Sequence, residues 1–230
     1  MLEQYISDVQ EHLNDTQGQF FARPTLERFI NRARRRVAAV SGCIRCCPVG
    51  TQTGTNKEIY PFSEWIPLVQ KEIPGVQSVL AVRSLAVAIG VGGWKPMWRR
   101  IAWSDFQARF RIYNGTFYGV ITEPGWYAQY GEGPYGKLYL APIPSQPMPF
   151  DVDLSCIPAP LLTDKDPEPI PYPWTDAVSY WAAVLAYMQQ QRKDDAQALA
   201  QLFNSDMPMC AAVVCPQMLQ TPYGATLRSA

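Results

Sequence analysis

Residues 26–47 read LERFINRARRRVAAVSGCIRCC, and where this stretch stops being helical decides the fold. Leu26, Phe29, Ile30, Ala33, Val37 and Val40 recur at helical spacing, which predicts an amphipathic helix. Its opposite face carries Glu27, Arg28, Asn31, Arg32, Arg34, Arg35 and Arg36, and Ser41-Gly42 is a stop signal. Three cysteines, Cys43, Cys46 and Cys47, follow at once. A thioredoxin-type pair sits where a strand feeds a helix, whereas this cluster follows a helix. A tetrahedral zinc site needs two more ligands at comparable spacing, and Cys156, Cys210, Cys215 and the single His12 do not supply them. The cluster therefore reads as small, reduced, buried side chains where the helix exits into something else.

Working outward, Leu2, Tyr5, Ile6, Val9 and Leu13 form a second helical stripe upstream, ended by Asn14-Asp15 and Gly18. Pro24 suits the first turn of the following helix. Downstream, helical periodicity gives way to candidate strands: KEIYPF, VQSVLAVRSLAVAI, MWRRIAW, WYAQY, KLYLAPI and FDVDLSC. GVGGW reads as a turn. SDFQARFRIYNG fits either a short helix capped by Ser104-Asp105 or an alternating strand before Asn-Gly. The proline-rich CIPAPLLTDKDPEPIPYPW is a stiff extended connector. Helix then returns, with Val178, Trp181, Ala182, Leu185 and Met188 on one face and Ala196, Leu199, Ala200, Leu202 and Phe203 on the next. Pro208 is expected to kink or end that last helix.

Four amphipathic helices, two near each end, must bury their stripes together. The expectation is an α+β fold: a helical bundle built from residues 1–47 and 174–215, a β-rich insertion at 48–160, a connector at 161–173 and an extended tail at 216–230. Lys plus Arg equals Asp plus Glu at 20 each, so no overall steering toward nucleic acid or membrane is expected, and charge arguments must be local. The charged N-terminal segment lacks a signal-like apolar region, which together with the cysteine usage predicts synthesis in a reducing cytoplasm. No phosphate loop or nucleophile elbow is present. Glu11 and His12 are adjacent on a helix and make a poor dyad, and Asp151 and Asp153 share a strand face, a pattern compatible with glycoside chemistry and equally that of a solvated sheet. No enzymatic activity and no cofactor are expected.

LEQYISDVQEHLND followed by LERFINRARRRVAAVSGC resembles the paired N-terminal helices of phage head-to-tail adaptor proteins, also called head-completion or tail accessory factors. GKLYLAPIPSQPMPFDVDLSCIPAPL resembles their strand, proline turn and strand, and an acidic linker and PYPWTDAVSYWAAVLAYM follow in the same order. The resemblance implies a structural virion protein at the head–tail junction, assembled in the host cytoplasm. Its copies would form a homo-oligomeric ring, a dodecamer, beneath the portal protein. That ring would extend the channel through which DNA passes and present a platform for a downstream tail or nozzle protein.

Arg32, Arg34, Arg35 and Arg36 then have three readings: contact with DNA phosphates in the channel, pairing with Asp164, Asp166 and Glu168 of a neighbouring subunit, or a solvated helix face. That all four basic residues of the run are arginine favours a partner. In the tail, Met218, Leu219, Tyr223 and Leu227 are candidate anchors for docking on the portal or a neighbour. Trp94, Trp98, Trp103, Trp126, Tyr127, Tyr130 and Tyr135 read as a packed β core with some interface aromatics. The alternative function is a metal-binding or nucleic-acid-associated module built on Cys43, Cys46 and Cys47 with Arg35 and Arg36.

Overall fold

A computed structural model of the chain describes residues 1–15, 17–87, 97–111 and 123–214. Trp94, the GVGGW turn and the tail at 216–230 lie outside the described residues. The helices are α1 (Leu2–His12), α2 (Arg23–Ser41), α3 (Ile66–Glu72), α4 (Trp103–Phe106), α5 (Trp174–Gln189) and α6 (Lys193–Val214). The strands are β1 (Arg45–Cys46), β2 (Ile59–Pro61), β3 (Val76–Val87), β4 (Arg99–Arg100), β5 (Trp126–Tyr130), β6 (Lys137–Ala141) and β7 (Phe150–Pro158). The fold mixes α and β in two compact units. One holds residues 1–41, 161–166 and 170 onward, and the other holds 42–160 with 167–169.

In the helical unit, α5 packs against α6, α2 and α1, and α1 packs against α2. Helix α5 has neighbours on several sides because its sequence is apolar nearly all round. Ala177, Val178, Ala182, Ala183, Val184, Ala186 and Tyr187 are all buried. The expected single stripe is therefore corrected to a broad buried surface, and Met188, assigned to it, is 62% exposed. Leu2, Tyr5, Ile6, Val9 and Leu13 are buried together on α1. The α1–α2 connector is tied by Asp15, whose carboxylate oxygens accept from Gln19 N at 2.8 Å and Phe20 N at 2.9 Å. Val40 and Leu202, also expected inside, are exposed. Pro208 does not end α6, which runs through it to Val214.

The other unit contains an antiparallel sheet ordered β1-β7-β3 and a second sheet ordered β2-β6-β5-β4, in which only β4 and β5 are parallel. Register shifts along β3 against β7 bend the pair. Strand β3 also bonds toward the second sheet. Trp98 N donates to Leu85 O at 2.9 Å, and Val82 N donates to the Gln129 side-chain oxygen at 3.0 Å. The interior is aromatic: Phe150 stacks on Trp98 at 5.6 Å and meets Tyr60 and Trp65 edge-on. Gly75 has φ +86°, and a Cβ there would stand 2.5 Å from Pro167 O, so a side chain is excluded twice over.

The ambiguous segment at Ser104-Asp105 is helical, α4 continuing into a π-helical turn over Gln107–Arg111. Phe106 closes a small core with Ala128, Tyr139 and Ala141. The helix α3 had no signal in the apolar pattern because its seven residues span only two turns. The cysteine corner forms β1, with Arg45 and Cys46 paired to Ser155 and Leu154.

Candidate functional site

Helix α2 carries the chain's densest cationic feature. Arg28, Arg32, Arg35 and Arg36 fall at positions i, i+4, i+7 and i+8 and share one side of the helix. Among the described residues none of these four has a carboxylate partner. Among those residues Arg32 has no hydrogen-bond partner, Arg35 Nε reaches Asn31 O at 3.4 Å, and the Arg28 and Arg36 guanidinium groups lie over the rings of Phe29 (5.6 Å) and Trp181 (5.1 Å). Beside this stripe a groove of about 550 Å³ opens between α2 and α5, lined by Arg28, Phe29, Arg32, Leu185, Met188 and Gln189.

Arg34 is different. It is 1% exposed and donates to Asn31 Oδ1 at 3.1 Å, so it is no part of the solvated face on which the sequence placed it. Consecutive helical residues point in different directions, and only 34 of the run faces inward. Asn31 in turn clamps the returning chain, accepting from Leu161 N at 2.7 Å and donating to Leu161 O at 2.9 Å.

The linker acids expected to face a neighbour are bound at home. Asp164 Oδ1 accepts from the Met1 amine at 2.5 Å and from Glu3 N at 3.2 Å, capping α1 from 161 residues away. Asp166 Oδ2 accepts from Leu162 N and Thr163 N, both at 2.7 Å, and closes its own turn. The amine, then the Glu3 N–H, holds the Asp164 carboxyl below its ordinary range; Thr163 and Leu162 do the same for Asp166. The charged forms are favoured, so these ties are present at neutral pH and lost as pH falls through the lowered values. Glu168 is half-buried and already engaged.

Within the cysteine corner Cys46 is buried and Cys47 exposed. The Cys46 thiol donates to Glu72 Oε2 at 3.3 Å, while Val49 N donates to Glu72 Oε1 at 2.8 Å. Burial first, then the Glu72 carboxylate, pushes the Cys46 thiol up from 9.0 to about 12, and burial does the same for Cys156. Such thiols are poor nucleophiles and poor metal ligands. Among the described residues, no group of three or more His, Cys, Asp or Glu side chains is placed to hold a metal. At pH 8, a thiol reagent is expected to label native Cys47 well before Cys46 and Cys156, which should react only on unfolding; mass spectrometry of the labelled peptides checks this. Because both folded values are raised, their stabilisation is complete below the unfolded thiol value and is lost as pH rises toward 12.

Other candidates resolve similarly. Asp153 accepts from Arg45 at 2.5 Å and has Arg83 at 3.7 Å, an ion-pair cluster across β1, β7 and β3. His12 packs its ring on Tyr180 at 4.8 Å. Trp98 and Tyr127 are core, whereas Tyr130 and Tyr135 are 52% and 85% exposed, and Trp103 and Trp126 are half-buried. The groove beside the stripe was missed in the sequence because it depends on Leu185 and Met188, which periodicity assigned to the core.

The described residues thus offer surfaces for binding, with side chains committed to packing and ion pairs. No helix among them is long and apolar enough to cross a membrane. A search of curated proteins finds no match to the chain. The family model for SU10 adaptor proteins matches residues 2–213, spanning both units. The chain therefore belongs to the SU10 adaptor protein family and is a phage head-to-tail adaptor, a structural component of the virion.

Proposed function

We propose that copies of this chain close into a dodecameric ring beneath the portal protein, extend its DNA channel and present a platform for the next tail or nozzle protein. The observation that carries the reading is the family match over residues 2–213. The arginine stripe supports it: four cations on one face of α2 lack carboxylate partners among the described residues of a chain whose net charge is zero. A heterologous contact between identical copies supplies such partners. In this reading the stripe, Arg32, Arg35 and Arg36 above all, acts between subunits, with DNA in the channel as the second contact. The helical unit forms the ring body, and the β-rich unit offers Tyr130 and Tyr135 to the next component.

Electron microscopy of the purified protein, alone and mixed with its portal, tests the reading. Rings on the portal are expected; a chain that stays monomeric in both conditions overturns it. The residues after 215 belong to the same proposal, with Met218, Leu219, Tyr223 and Leu227 as anchors on the portal. Deleting 216–230 is expected to preserve the thermal melt while portal affinity falls about tenfold or more, as for the loss of several buried anchors. Unchanged affinity in a titration would remove the docking role.

A further inference from the structure

Two surfaces of the helical unit that lack partners among the described residues complement each other. The first is the groove between α2 and α5, lined by Phe29, Leu185 and the exposed Met188 together with Arg28 and Arg32. Like charges four residues apart on a helix repel, and a carboxylate placed between them relieves that repulsion. The second is the outward face of α6, where Asp194, Ala198 and Leu202 are exposed at i, i+4 and i+8 and Asp206 follows four residues later. Asp194 has no partner among the described residues, and Leu202 is 49% exposed. An isolated exposed leucine is ordinary, but one flanked by carboxylates at helical spacing is the shape of a groove ligand.

We propose that the outward face of α6 of one copy seats in the α2–α5 groove of the next. This rests on the ring reading and names the surfaces that make it. Leu202 enters the apolar floor against Phe29, Leu185 and Met188, and Ala198 lets the helix approach closely. With Leu202 seated, Asp194 and Asp206 stand about 12 Å and 6 Å along the helix axis on either side. The stripe from Arg28 to Arg36 spans about 12 Å, so both carboxylates have arginines within reach. Methionine at the groove edge adapts to the incoming side chain. The groove's apolar floor favours protein over DNA, because phosphates have no use for Leu185 and Met188.

The test uses the full-length chain with its portal. R28E/R32E and L202D are expected to melt like wild type, since all three positions are at the surface. Both are expected to raise the concentration for half-maximal ring assembly about tenfold or more. Combining R28E/R32E with D194R/D206R should restore assembly. Rings formed equally well by wild type, R28E/R32E and L202D overturn this contact while leaving the ring reading intact. If wild type assembles neither alone nor on the portal, both fall. Assembly that needs DNA, is abolished by nuclease and is insensitive to L202D makes the groove a nucleic-acid surface and also overturns the proposal.

Discussion

A chain lacking residues 1–22 is expected to aggregate on expression and to lose its cooperative unfolding transition. Helix α1 buries Leu2, Tyr5, Ile6, Val9 and Leu13, and the connector buries Phe21. These side chains cover α5 and α2, so their loss also uncovers the Ala- and Val-rich surfaces beneath. Each buried side chain stabilises by about 1.5–3 kcal/mol. Six of them are together comparable with the ~5–15 kcal/mol that holds a whole domain folded. The truncation also removes the amine and the Glu3 N–H that bind Asp164, freeing the linker. Size-exclusion chromatography and urea unfolding check the result: a monomeric truncation with a single transition would show α1 to be peripheral.

The reason this effect was foreseeable lies in the kind of signal each element carries. Helices α1 and α2 put polar residues on one side and apolar ones on the other, so their buried faces could be read by spacing alone. Helix α5 offered no such contrast. Its alanines are buried on several sides, and periodicity chose one face where the fold uses more, leaving Met188 on the wrong side. The strands β3, β5, β6 and β7 were visible through alternation and β-branched or aromatic content. By contrast β1 and α3 are set by tertiary partners, Ser155 and Leu154 for the first and the Glu72 clamp on Cys46 and Val49 for an end of the second.

For the candidate site the sequence located the arginines but could not tell them apart. Whether an arginine faces in or out depends on a rotation of 100° per residue and on what packs against the helix. Likewise, nothing in TDKDPEP announces that Asp164 reaches the start of α1 or that Asp166 closes its own turn. Both are long- or short-range satisfactions of backbone N–H groups, chosen by the path of the connector. The groove depends on both corrections, since its lining is a helix face that periodicity assigns to the core and a stripe whose expected acids, Asp164 and Asp166, bind backbone groups of their own chain.

Substitutions within the run should therefore separate cleanly. Arg34→Ala is expected to cost about 3 kcal/mol or more, because it removes a buried hydrogen-bonded cation and leaves its partners unsatisfied. Asn31 would lose the donor that fixes its amide, and with it the clamp on Leu161 would loosen. Arg35 and Arg36 reversed to Glu together should cost about 1 kcal/mol or less, chiefly the Arg36 contact over Trp181, since surface changes and exposed cation–π contacts are small. Assembly should show the reverse order: R35E/R36E folds normally yet forms rings poorly, whereas R34A assembles in proportion to the fraction that remains folded. Urea midpoints and ring counts by electron microscopy, measured on the same preparations, give both quantities. The decisive case is Arg34. If R34A unfolds at the wild-type urea concentration but no longer forms rings, its guanidinium acts between subunits, and the inward side of α2 opens during assembly.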